Sequence, residues 1–237
     1  MNRISICKTL MLLSALLIAA PGMAEEKVPA APDTTLCEQG KAQSPIALLK
    51  ADKAKLPLLE PDYKEVEMNI ERQPGLLAVH YPEGSILKIG DQSFQLTRVT
   101  FHTPAEHTMR GQKFDLEVQL EHKNTEGKIA IVSVMMKRGF SNYGLDALLK
   151  KIPKADTPEP IIIDGAFFSP QTLFPADLGY YHYTGSLTTP PCTEGVEWYV
   201  LKAYVELGSD QLTAFKKILG ANARPMQNLE GRKVEQQ

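Results

Sequence analysis

Between Arg98 and His122 lie three of the chain's five histidines, His102, His107 and His122, interleaved with Glu106, Glu117 and Glu121. Imidazoles and carboxylates are the side chains that bind metals and move protons near neutral pH, so chemistry is sought here first. Spacing decides what they can do together. The segment alternates like two strands joined by a loop, and side chains two residues apart on a strand share a face. Arg98, Thr100 and His102 line up on the first strand, opposite Glu117, Gln119 and Glu121 on the second. His122 has the wrong parity, because residues 120 and 122 share the other face. The stretch therefore presents one imidazole, His102, on a polar face, and a lone histidine of this kind is more often a hydrogen-bonded core histidine than a metal ligand.

The elements that hold this face are strand-rich. Residues 85–96, 99–102, 114–122, 128–136 and 198–205 alternate or are enriched in β-branched residues. Turn residues separate them, among them Pro82-Glu83-Gly84, Gly90-Asp91 and Arg110-Gly111-Gln112. Leu145, Leu148, Leu149 and Ile152 sit at helical spacing after Ser141-Asn142, with Pro153 as a stop. A second helix begins after Ser209, buries Leu212, Phe215, Ile218 and Leu219, and ends at Gly220.

The rest of the chain sets the context. Arg3 and Lys8 precede the apolar run 10–20, and Gly22-Met23-Ala24 offers small residues for a peptidase, so residues 1–24 read as a cleaved secretory signal. Residues 25–36 are polar and proline-rich, a flexible leader, and residues 37–237 form one domain. No later apolar segment is long enough to span a bilayer. The expected location is the periplasm or beyond. A formal net charge of −2 with interspersed signs points to neither nucleic acid nor an anionic membrane as partner. Removal of the signal takes Cys7 with it and leaves Cys37 and Cys192, which an oxidising compartment favours as a pair over two buried thiols.

Four separated blocks carry a family resemblance. Gln43-Ser44-Pro45-Ile46 resembles a signature near the start of α-class carbonic anhydrases, and Glu106-His107 their Ser-Glu-His motif with Ala105 in place of serine. The run from Tyr183 through Gly185-Ser186-Leu187-Thr188-Thr189-Pro190-Pro191-Cys192 to Trp198 matches the most specific block. Asn222-Ala223-Arg224-Pro225-Met226-Gln227 is similar to the family's Asn-x-Arg-Pro-x-Gln. The resemblance implies a mainly β (α+β) single domain around a twisted, mostly antiparallel sheet of about ten strands with short peripheral helices. It also implies a Cys37–Cys192 disulfide, as in bacterial members.

The resemblance implies a zinc ion held by three histidines, which brings its bound water to a pKa of about 7 for reversible CO2 hydration. The first two ligands fall on Thr100 and His102 and the third on Gln119, so His102 alone survives. A hydroxyl is a poor zinc ligand, and an amide oxygen is weak beside imidazole. His107 and His122 match structural histidines of the family. Arg98 stands where members have glutamine, and Glu121 where they have a valine of the CO2-binding wall; an Arg98–Glu121 or Arg98–Glu117 ion pair is expected to fill the metal's volume. Glu106 and Thr188 match a gating pair in which threonine donates to glutamate, and Ile131, Leu187 and Thr189 match pocket-wall positions. The expectation is a secreted carbonic-anhydrase-like protein without zinc catalysis and without a cofactor, whose polar pocket serves an unknown small molecule or protein. Two alternatives stand beside it: an active enzyme using His102 with Glu117 or Glu121 on zinc or another metal, and an interaction module with an inert pocket.

Overall fold

The computed structural model describes residues 33–237. Residues 1–24, expected to be a signal peptide, and most of the expected leader lie outside the described residues. The leader's end is shorter than expected, because Thr35 and Leu36 already belong to a short helix, α1 (Thr35–Gln39).

Eight long strands build one sheet: β1 (Val66–Gln73), β2 (Leu76–His80), β3 (Gln92–His102), β4 (Leu116–Lys123), β5 (Ile129–Arg138), β6 (Thr157–Phe168), β7 (Tyr180–Ser186) and β8 (Glu194–Leu201). They run in the order β6-β1-β2-β3-β4-β5-β8-β7, and short strands at the edges and margins bring the sheet to thirteen. Pairing is antiparallel through the centre, while β5 and β8 run parallel. The fold is mainly β with few short helices, as the sequence predicts.

Alternation explains why the sheet has two unlike faces. On β4, Leu116, Val118 and Leu120 are fully buried and enter the main core with Val99, Phe101, Val132 and Phe215. The opposite face of β5 sends Ile131 and Met135 into a second cluster around Tyr183 and Trp198. Two apolar layers thus clamp the centre of the sheet, and the polar face of β3 and β4 opens between them.

Two helices close the periphery. Helix α2 (Tyr143–Leu149) is capped by Asn142, whose side chain accepts from the Leu145 amide. Helix α3 (Ser209–Leu219) starts one residue earlier than its serine suggested: Gly208 is the N-cap, and the Gln211 side chain accepts from the Gly208 N–H at 2.8 Å. Leu212, Phe215 and Leu219 are buried, and Ile218 only half-buried.

Two of the signature blocks meet at Ser44. Ser44 Oγ accepts from Ser186 N at 3.0 Å and contacts Tyr183 Oη at 2.8 Å. Gly185 is required there, since a Cβ would collide with Ser44 Oγ. Cys37 and Cys192, 155 residues apart, form a disulfide that ties the N-terminal segment to the loop after β7.

Candidate functional site

The register of β3 against β4 pairs Arg98 with Glu121, Thr100 with Gln119 and His102 with Glu117. Next door, β5 places Ile131 beside Glu121 and Ser133 beside Gln119. Arg98, Thr100, His102, Gln119 and Glu121 floor a cavity of about 200 Å³, walled by Leu76, Ile131, Leu187, Thr188 and Thr189. Of the site residues read from the sequence, Arg98, Thr100, His102, Gln119, Glu121, Ile131, Leu187, Thr188 and Thr189 all line it.

Arg98 and Glu121 form an ion pair, with Nη2 at 2.9 Å and Nε at 3.0 Å from the same oxygen, Glu121 Oε2. Both side chains remain partly exposed to the cavity, 30% and 21%. A carboxylate in this wall is tolerable because its charge is met by its cross-strand neighbour.

Glu117 departs from the expectation. It does not line the cavity, and its side chain is wholly buried beneath it. Its oxygens accept from the backbone N–H groups of Glu106 and His107, both at 2.9 Å. They also accept from Gln119 Nε2 at 3.1 Å and Ser133 Oγ at 2.7 Å, and pair with His107 Nδ1 at 2.9 Å. Burial alone would raise the pKa of this carboxyl, but the imidazole of His107 and these donors hold it well below the usual carboxylate range. His107 passes the chain onward: its Nε2 lies 2.6 Å from Tyr183 Oη. Glu117 and His107 are thus a buried structural network, and both Glu117 oxygens are taken up by it.

The expected Glu106–Thr188 pair is not formed as a hydrogen bond either. Glu106 Oε2 accepts from Gln119 Nε2 at 2.7 Å, and Oε1 accepts from the Arg224 backbone N–H at 2.9 Å. The amide at position 119 supplies the donor that a gating threonine would, and Thr188 lines the cavity.

His102 is 6% exposed. Its Nε2 lies 3.4 Å from Thr100 Oγ1, and its Nδ1 lies 3.5 Å from Glu106 Oε1 without a well-aligned hydrogen bond. His122 faces the opposite side, as its parity requires. Its Nδ1 donates to the Ala130 carbonyl at 3.2 Å, and Nε2 accepts from Tyr63 Oη at 2.8 Å. Complete burial pushes this imidazole down to about 4, so it is neutral. His80 and His182 pair with Glu71 and Glu197, each at 2.8 Å, away from the cavity.

Does this donor set fit zinc? Zinc sites are built from imidazole, thiolate and carboxylate. Here one imidazole shares the floor with a hydroxyl, an amide and a guanidinium, and the amide turns its nitrogen towards two carboxylates. Among the described residues, no three His, Cys, Asp or Glu side chains converge as a metal site would require. The set does not fit.

Two contributors were not read from the sequence as site residues. Asn222 lines the rim and fixes it, donating to Gly75 O at 3.0 Å and Phe101 O at 2.9 Å. Arg224 locks the floor to the N-terminal loop through Gln43 Oε1 at 2.9 Å, Ser44 O at 2.7 Å and Cys37 O at 2.7 Å. Their only signal was the Asn-x-Arg block, which carried the resemblance without a role.

Comparison with known proteins gives the family. The family model described as eukaryotic-type carbonic anhydrase matches residues 30–237. A carbonic anhydrase of Pectobacterium carotovorum is 34% identical over 203 residues, 85% of this chain and 82% of that one. The α-carbonic anhydrase of Thermovibrio ammonificans, solved with the inhibitor sulfanilamide, superimposes with a TM-score of 0.80 at 33% identity, covering 85% and 90% of the two chains. A dioscorin solved with ascorbate gives a TM-score of 0.78 at 30% identity, covering 90% and 95%. With its sheet, its disulfide and its signature blocks around one central pocket, the chain belongs to the eukaryotic-type carbonic anhydrase family.

Proposed function

We propose that this member of the family is exported and that its pocket binds a small molecule in place of hydrating CO2. The observation that carries the reading is the chemistry of the floor: Thr100 and Gln119 stand beside His102, and the Gln119 amide is spent on Glu106 and Glu117. Generating hydroxide at neutral pH needs a metal that acidifies water, and a single imidazole among hydroxyl, amide and guanidinium is a poor holder for one. The Arg98–Glu121 pair adds to this, since it puts a fixed cation beside the place a metal would take. A metal site using His102 with Glu117 or Glu121 draws no support, because Glu117 is committed to its five donors and Glu121 to Arg98. A protein of this fold, the dioscorin solved with ascorbate, forms a complex with a small organic molecule, which supports a binding role for this chain. Residues 1–24 are proposed as the export signal, and the Cys37–Cys192 disulfide suits an oxidising compartment.

Restoring the missing nitrogens tests the reading. The Thr100→His/Gln119→His double variant should bind stoichiometric zinc where the unaltered protein binds little. If the double variant and the unaltered protein take up zinc equally, position 100 and position 119 are not what sets metal affinity, and the reading fails.

A further inference from the structure

The Arg98–Glu121 pair narrows what the pocket takes. Both guanidinium contacts fall on one oxygen, Oε2, so Glu121 Oε1 and Arg98 Nη1 have no hydrogen-bond partner among the described residues. Both side chains line the cavity, and at 30% and 21% exposure neither is closed off from a ligand. Together they present one acceptor beside one donor, with no net charge. Ile131, beside Glu121 on the neighbouring strand, and Leu187 add apolar lining, and Thr188 adds a hydroxyl-bearing side chain that can both donate and accept.

Each class of ligand meets this lining differently. An anion would face a guanidinium already neutralised at 2.9 Å and a carboxylate beside it, so it would have to break the pair. A cation meets Arg98. A purely apolar molecule would leave the free polar atoms of the floor dry and unpartnered, which is unfavourable. The volume of about 200 Å³ is below the roughly 300–1,000 Å³ of sites for drug-sized ligands.

We infer that the pocket takes a small uncharged polyhydroxylated molecule, of the monosaccharide or cyclitol class, through adjacent hydroxyls that straddle the Arg98–Glu121 pair. One hydroxyl donates to Glu121 Oε1 and its neighbour accepts from Arg98 Nη1. The ring's C–H face rests on Leu187 and Ile131, and Thr188 meets a further hydroxyl. Arg98 and Glu121 act here as recognition residues, each orienting the other. The inference rests on the non-catalytic reading and adds to it the ligand's charge and polarity.

Isothermal titration of the purified protein at neutral pH tests it, with D-glucose, D-ribose and myo-inositol as neutral probes and sodium ascorbate and sodium bicarbonate as anionic ones. At least one neutral probe should saturate with a Kd below about 10 mM, and neither anion should. Glu121→Gln frees the charge of Arg98; it should weaken the neutral probe about tenfold and create anion binding. If that variant does not fold, Thr188→Val should weaken the neutral probe while leaving the anions silent. The inference is overturned if no neutral probe saturates, if an anion binds the unaltered protein as well as any neutral probe, or if Glu121→Gln changes neither. Zinc content and CO2 hydration are read on the same preparation. A zinc-loaded, active protein overturns the functional reading whatever the titrations give, and failed titrations with a zinc-free protein overturn the ligand class alone.

Discussion

Replacing Gln119 by leucine isolates the amide that reorganises the floor. The side chain is 4% exposed, and leucine has nearly its volume, so packing changes little while two hydrogen bonds disappear. The stronger is the 2.7 Å bond to Glu106 Oε2, whose carboxylate keeps only the Arg224 N–H on its other oxygen. A hydrogen bond to a buried charged group contributes about 1.5–3 kcal/mol. The 3.1 Å bond to Glu117 matters less, because four other donors remain, and about 0.5 kcal/mol is a fair allowance. The greater apolar burial of leucine offsets roughly 1 kcal/mol. The net expectation is a loss of about 1–3 kcal/mol, which lowers the urea midpoint by about 1 M for an m value of 1–3 kcal/mol/M. Gln119→His, which restores a ring nitrogen that can still donate to Glu106, should lose less. If Gln119→Leu is as stable as the parent, the amide is not what satisfies Glu106, and the reasoning behind the rewired floor is wrong.

Two further perturbations follow from the same structure. His122 is held neutral by burial with a folded pKa of about 4, against about 6.5 when unfolded. Between those values the unfolded chain binds the extra proton, so stability falls as pH drops from about 6.5 to about 4, by roughly 3 kcal/mol. Urea unfolding at pH 7 and pH 4.5 should show this, with the dependence reduced in His122→Asn; an unchanged pH dependence in that variant would show that another group carries it. Reduction of the Cys37–Cys192 disulfide, which closes 155 residues, should cost about 4–5 kcal/mol on the chain-entropy account, seen as a lower Tm in dithiothreitol. A Tm insensitive to reductant would mean the bridge constrains the unfolded chain far less than its span implies.

Much of the site was legible because period-2 alternation is rigid: once 98, 100 and 102 share a face, a one-residue slip would bury the wrong set. Alternation gives the face but not the depth. Glu117 shares parity with Glu121, yet it lies under His107 and Ser133 and not in the cavity. Likewise the resemblance located Glu106 and Thr188 but could not show that Gln119 had taken over the donor's place. Four of the long strands escaped the pattern. Strand β6 contains Pro158, Pro160 and Gly165, which read as loop, and the sheet tolerates them because β6 is an edge strand paired only with β1. Strands β1 and β2 are short-range partners, Asn69 to His80 and Gln73 to Leu76, whose apolar residues face the main core only after the sheet has formed. Strand β7 is dominated by tyrosines and small residues, whose burial depends on Trp198 and the Ser44 loop rather than on local pattern.

Metal content decides whether the pocket is catalytic. Protein purified without chelator, assayed for zinc by mass spectrometry and for CO2 hydration by stopped flow, measures it directly. A floor of one imidazole, one hydroxyl and one amide predicts substoichiometric zinc and hydration no faster than the uncatalysed rate. One zinc per chain together with rapid hydration would contradict it.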